Sequence, residues 1–206
     1  HSIAAKDPIF GLSVSGTIHP EFIKKNNGAK EGDLIYITKP VGIGVLATAL
    51  KREKITPEDY ENLLLHSCHL NQIGEKIGTQ SYIHALTDVT GFGLLGHLIE
   101  MCEGSDLTAE ISHQDIPLIE GVQNYIDQFI FPDNTYRNWN AYNAKTLGVK
   151  GMELVKLCDP QTNGGLLMAV DPKKQNIYEE FMEVNGKKAY LLGKFLEKKE
   201  KTVVII

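Results

Sequence analysis

The spacing of apolar and polar positions changes period repeatedly along the chain, and each change marks an element. Residues 8–18 alternate apolar with small polar side chains and predict a strand. No partner hairpin lies near it in sequence, so it must pair with something distant. PEFIKKNNG at 20–28 predicts a short helix, with proline in the tolerated first turn and Gly28 beyond its end. DLIYITK at 33–39 is a nearly continuous apolar strand ended by Pro40 and Gly42, and 42–51 reads as a helix. Thr56-Pro57-Glu58-Asp59 starts another, with a cap, a first-turn proline and acids favoured by the helix dipole. That helix is expected to run to about Gly78 with Leu63, Leu64, Ile73 and Ile77 on its buried side.

Further on, Leu94, Leu95, Leu98, Ile99 and Met101 mark a strongly apolar helix. A strand follows at 107–113 and a short helix around 120–131. FPDNTYRNWNAYNAK at 131–145 has neither period and reads as a long irregular loop, a kind of segment often functional in a compact domain. After it come a helix at 152–158, a buried strand at 166–170, a helix from Asp171-Pro172 to about Val184, and closing strands at 189–196 and 201–206. Strands and helices alternate, which predicts an α/β (α+β layered) domain over 20–206, preceded by one foreign strand within 1–19.

Composition narrows what such a domain can do. With 42% hydrophobic and 23% charged residues, the 206-residue chain has the balance of an ordinary globular protein. Its net charge of -5 and the lack of a basic cluster longer than the 198–201 region argue against nucleic acid as a partner. No apolar run reaches the roughly 20 residues needed to cross a bilayer, and no signal peptide opens the sequence, so no membrane partner is expected. Cys68, Cys102 and Cys158 are scattered and odd in number, which points to a reducing, cytoplasmic compartment. None sits in a CxxC pair, and each reads as a small buried hydrophobe.

Two stretches carry candidate chemistry. In LTDVTGFGLLGHLIEM at 86–101, Asp88 stands between two threonines before Gly91 and Gly93 and a helix start. A carboxylate beside amide-rich backbone suits a metal-bound phosphate. Thr90 or Asp88 acting only as a helix cap is the simpler alternative. In DPQTNGG at 159–165, an Asp-Pro turn, polar side chains and paired glycines feed directly into a strand. There the backbone can approach a ligand closely, although turn chemistry alone also explains it.

Other patterns are weaker. Gly42-Ile43-Gly44-Val45-Leu46-Ala47 fits a dinucleotide fingerprint, but the acids at Glu58, Asp59 and Glu61 fall inside a helix rather than after a second strand. It reads instead as a glycine-eased helix start packed on the sheet. His66 with His69, and His97 with Glu100, are each three apart and could share a metal, yet side-chain packing is simpler. Arg137 in the 131–145 loop could meet a phosphate or carboxylate.

Taken together and in order, HSI…PIFGLSVSG at 1–16, TKPVGIGVLATA at 38–49, TDVTGFGLLGHLIEM at 87–101 and DPQTNGGLLMAV at 159–170 resemble the selenophosphate synthetases (selenide, water dikinases). They belong to an ATP-binding superfamily shared with aminoimidazole ribonucleotide synthetase, thiamine-monophosphate kinase and a hydrogenase-maturation protein. The resemblance implies a mixed sheet flanked by helices, as the C-terminal domain of a two-domain enzyme. It implies conversion of ATP, selenide and water to selenophosphate, AMP and phosphate, by a cytoplasmic homodimer. Asp88 matches the family aspartate that binds Mg²⁺. His1 matches the histidine that contacts ATP, without its two preceding glycines.

The family's reactive Cys or Sec, its catalytic Lys and its other metal-binding aspartates would all precede position 1. This chain is therefore expected to be the C-terminal portion, with no catalytic residue of its own and no turnover alone. Two alternatives stay open: the same domain in a related ATP-dependent small-molecule kinase or synthetase, and a non-catalytic dimerisation domain.

Overall fold

In a computed structural model of the chain, residues 9, 11 and 13–206 are described. His1 and residues 8, 10 and 12 of the expected 8–18 strand lie outside them. Residues 9, 11 and 13–18 are exposed and in no strand. The 20–28 helix is reduced to a single 3₁₀ turn, Pro20–Phe22.

The first half of the chain builds β1 (Leu34–Ile37), α1 (Ile43–Lys51), α2 (Pro57–Cys68), α3 (Ile73–Gly78), β2 (Ile83–Asp88) and α4 (Gly93–Ser105). The second half adds β3 (Leu107–Ile111), α5 (Val122–Asp127), α6 (Asp133–Tyr142), β4 (Thr146–Leu147), α7 (Glu153–Cys158), β5 (Leu166–Val170), α8 (Gln175–Val184), β6 (Tyr190–Glu197) and β7 (Val203–Ile205). The strands form one mixed sheet in the order β2-β5-β1-β6-β3-β7-β4. Pairs on the β2 side are antiparallel, whereas β7 runs parallel to both β3 and β4.

Helices cover both faces, which explains the unbroken apolar runs of the central strands. Leu167 and Ala169 of β5 face α4, against Leu94, Leu95, Leu98 and Met101. Leu166, Met168 and Val170 of the same strand face α3 and α8, against Ile73, Ile77, Tyr178 and Met182. All five β5 residues are consequently buried. A third cluster joins α1, α2 and α5 through Val45, Leu46, Leu63, Val122 and Tyr125. Thr56 caps α2 as expected, accepting from the Asp59 backbone N–H at 3.1 Å.

Three expectations need correction. The helix expected over 57–78 breaks after Cys68, and His69 is extended. The backbone there is used elsewhere: Lys39 Nζ donates to His69 O at 2.6 Å, and Asn163 Nδ2 to Ser67 O and His69 O at 2.8 and 2.9 Å. Of the two leucines expected on the buried side of α2, Leu63 is buried but Leu64, one position further round the helix, is 41% exposed. Next, 131–145 is not a loop but contains α6 and leads to β4. α6 buries Thr135 and Asn138 rather than an apolar stripe, and its Asn, Asp and Thr residues are weak helix formers. Finally, Cys102 and Cys158 are buried, with thiols pushed up to about 12 by burial, but Cys68 is exposed at the end of α2. All three cysteines are free.

No helix among the described residues is long and apolar enough to cross a membrane.

Candidate functional site

Asp88 is the last residue of β2, opposite Leu166 at the start of β5. Its side chain is exposed, and its carboxylate enters no hydrogen bond or ion pair among the described residues. The turn that follows is held from below. Val89 is fully buried, and its N–H donates to Gly165 O at 2.9 Å. Thr90 O accepts from the backbone N–H groups of Gly93 and Gln161, both at 3.0 Å. The Thr90 N–H donates to His97 Nε2 at 3.1 Å, which places that imidazole's proton on Nδ1.

His97 is thus a neutral prop for the turn. Burial lowers its pKa, against the opposing pull of Asp88 and Glu100. The expected His97–Glu100 pairing is only a 3.9 Å approach.

From the side, α6 grips the same turn. Gly91 O accepts from Asn134 Nδ2 at 3.2 Å and Asn138 Nδ2 at 2.9 Å, and Asn138 also donates to Cys158 O at 3.0 Å. The two glycines differ. Gly93 sits at φ 71°, and a Cβ there would lie 2.8 Å from the Cys158 carbonyl carbon. A Cβ on Gly91 would meet nothing within 4 Å. No side chain caps α4, so Asp88 and Thr90 are not the helix caps of the simpler alternative. What results is a rigid, outward-facing turn with an unpartnered carboxylate at its edge.

The 159–165 stretch does something different. Asp159 is 1% exposed, and its Oδ2 accepts from Gly44 N at 2.9 Å and Gln161 Nε2 at 2.8 Å. Gln161 Oε1 accepts from Gly42 N and Ile43 N at 3.2 and 3.3 Å. The start of α1, where a dinucleotide's phosphate would sit, is therefore filled by the chain's own side chains. Gly44 is needed because a Cβ would come within 2.5 Å of Asp159 Oδ1. Burial pushes the Asp159 carboxyl up to about 7, partly offset by the hydrogen bonds from Gln161, Gly44 and Val45.

The remaining candidates scatter. His66 and His69 lie beside Lys39, across the 163–165 turn from Val89. No group of three or more metal-ligating side chains occurs among the described residues. Arg137 is exposed on α6, and His1 is outside the described residues. Sequence reasoning missed His97, Asn138 and Gln161 as the groups that hold the turn and joint. Only the polar face of α6 carried a signal, and it is a faint one.

Residues 30–206 match a family described as AIR synthase related protein, C-terminal domain. A selenide, water dikinase of Haemophilus influenzae (strain 86-028NP) is 43% identical over 205 residues, covering all of this chain and 59% of the relative. One from Colwellia psychrerythraea is 42% identical over 206 residues, covering 60% of that protein. The chain thus spans about three-fifths of the relatives it matches. Among solved structures, thiamine-monophosphate kinase from Stenotrophomonas maltophilia K279a superposes with TM-score 0.64 at 14% identity, over 88% of this chain and 52% of that one. Hydrogenase maturation protein HypE in complex with ATP gives 0.63 at 16%, over 88% and 49%. At such identities these two show a shared fold. By the match over residues 30–206, the chain belongs to the AIR synthase related protein family, as its C-terminal domain.

Proposed function

We propose that this chain is the C-terminal part of a selenide, water dikinase, which makes selenophosphate, AMP and phosphate from ATP, selenide and water. The observation that carries this reading is identity of 42–43% along the whole chain to proteins of that name. The thiamine-monophosphate kinase and hydrogenase maturation structures reach only 14–16%.

Within that reading Asp88 holds Mg²⁺. Its exposed, unpartnered carboxylate is a hard oxygen donor, and Mg²⁺ needs one or two such groups beside the phosphate oxygens. When bound, the metal neutralises phosphate charge. The chain's own contribution is positional: His97, Asn138 and the Gly165 carbonyl fix the turn so that Asp88 faces outward at the end of β2.

In the same reading residues 1–19 belong to a preceding domain and His1 contacts ATP. The reactive Cys or Sec and its Lys come from the part of the relatives that this chain does not cover. The whole enzyme works as a cytoplasmic homodimer. The test is selenide-dependent AMP formation followed by ³¹P NMR. The intact enzyme is expected to form AMP and selenophosphate, and the 206-residue chain alone neither. AMP formation by the isolated chain, or an intact protein indifferent to selenide, would overturn the reading.

A further inference from the structure

On the far side of the 163–165 turn from Asp88 lies a second feature that the proposed reaction does not use. A cavity of about 210 Å³ is bordered by Lys39, His66, His69, Lys187, Lys188 and Tyr190, and no acid among the described residues lines it. In a chain of net charge -5 that concentration of positive charge is unusual. A like-charge cluster with no counter-ion costs free energy through mutual repulsion, and an anion seated in it would relieve that cost.

The cluster is built rather than incidental. Lys39 is 6% exposed, and its ammonium is tied to two backbone carbonyls, His69 O at 2.6 Å and Asn163 O at 2.8 Å. An ammonium has three donors, which leaves one for the cavity. Lys187 reaches His69 Nε2 at 2.7 Å, and the two side chains hold each other in place. Burial first, and Lys187 second, bring the Lys39 pKa down to about 8. His66 and His69 are likewise lowered, by burial and then by neighbouring positive charge. Three lysines, two imidazoles and a phenol therefore border the cavity, and Lys39 is still mostly protonated at neutral pH. Donors on several sides, a small volume and no carboxylate suit a compact tetrahedral oxyanion.

We infer that Lys39, Lys187 and Lys188 form an anion site for one phosphate-class oxyanion, separate from the Asp88 turn. The inference does not rest on the proposed reaction, because binding is measured on the chain itself.

Inorganic phosphate is titrated into the 206-residue chain at constant ionic strength by calorimetry, and the site is located by ¹H–¹⁵N NMR. The expected result is saturable 1:1 binding, with shifts at Lys187, Lys188, His66 and His69. Lys39→Met removes a buried, bonded group and tests folding as much as binding. The decisive variant is therefore K187Q/K188Q, whose side chains are only partly covered or exposed. It is expected to weaken phosphate at least fivefold with an unchanged unfolding midpoint. Absence of saturation, a smaller loss in the variant, or shifts confined to the Asp88 turn would each overturn the inference.

Discussion

α1 and α4 both start at a glycine pair that follows a strand, Gly42 with Gly44 and Gly91 with Gly93, yet the two turns have opposite fates. At α1 the free backbone N–H groups of the helix start are taken by Asp159 and Gln161, and the joint is buried. At α4 no side chain caps the helix, Gly91 and Phe92 are exposed, and Asp88 beside them has no partner among the described residues. Similar local chemistry is thus spent on structure in one place and left open in the other. The fingerprint-like turn is the closed one, so motif shape is a poor guide to which helix start binds a ligand. What decides is whether another part of the chain already occupies it.

This contrast can be broken experimentally, first at the closed joint. Asp159→Ala would leave the Gly44 N–H and the Gln161 side chain short of a buried partner, costing about 2–4 kcal/mol of stability. A loss below about 1 kcal/mol, read by urea unfolding, would mean the joint contributes little. Gly44→Ala forces a methyl against Asp159 Oδ1 and Pro160 O, 2.5 and 2.7 Å away, and is expected to cost about 1–3 kcal/mol.

A subtler effect follows from the raised Asp159 pKa. Folded, the carboxyl titrates near 7, whereas unfolded it titrates near its ordinary value of about 3.9. The folded state then binds the proton more tightly. Its contribution is most favourable below about pH 4 and is lost as pH rises to about 7. Asp159→Asn removes that dependence. The stability gap between the two proteins should therefore shift in favour of the variant between pH 4.5 and 7.5. A gap constant with pH would place the carboxyl's pKa near its unfolded value.

The smallest effect belongs to the open turn. Gly91→Ala has free space and should change stability by no more than about 0.5 kcal/mol. A large loss there would show that this turn too is packed.

Much of this frame was readable beforehand. β1, α1, the capped start of α2, α4 and β5 announced themselves through strong apolar runs bounded by glycine, proline or a cap. β2 is not legible in the sequence because its short alternation, IHALTD, merges into the glycine turn that follows it. α6 was hidden because Asn, Asp and Thr dominate it: only Trp139 and Tyr142 pack partly against the core, and Asn138 bonds across to Gly91 and Cys158. The break at His69 depends on Lys39 and Asn163, 30 and 94 residues away in sequence. The Asp159–Gly44 joint spans 115 residues, a pairing that no local pattern encodes. Asp88 itself was legible, but its lack of a partner among the described residues was not.

The most direct test of the open turn is Asp88→Asn in the intact enzyme, measured as Mg²⁺-dependent, selenide-dependent AMP formation alongside urea unfolding. An exposed, unpartnered carboxylate that holds metal predicts activity reduced by two orders of magnitude or more, a raised Mg²⁺ requirement, and stability within about 0.5 kcal/mol of wild type. A variant with wild-type turnover and wild-type Mg²⁺ dependence would contradict the assignment of Asp88 as a metal ligand.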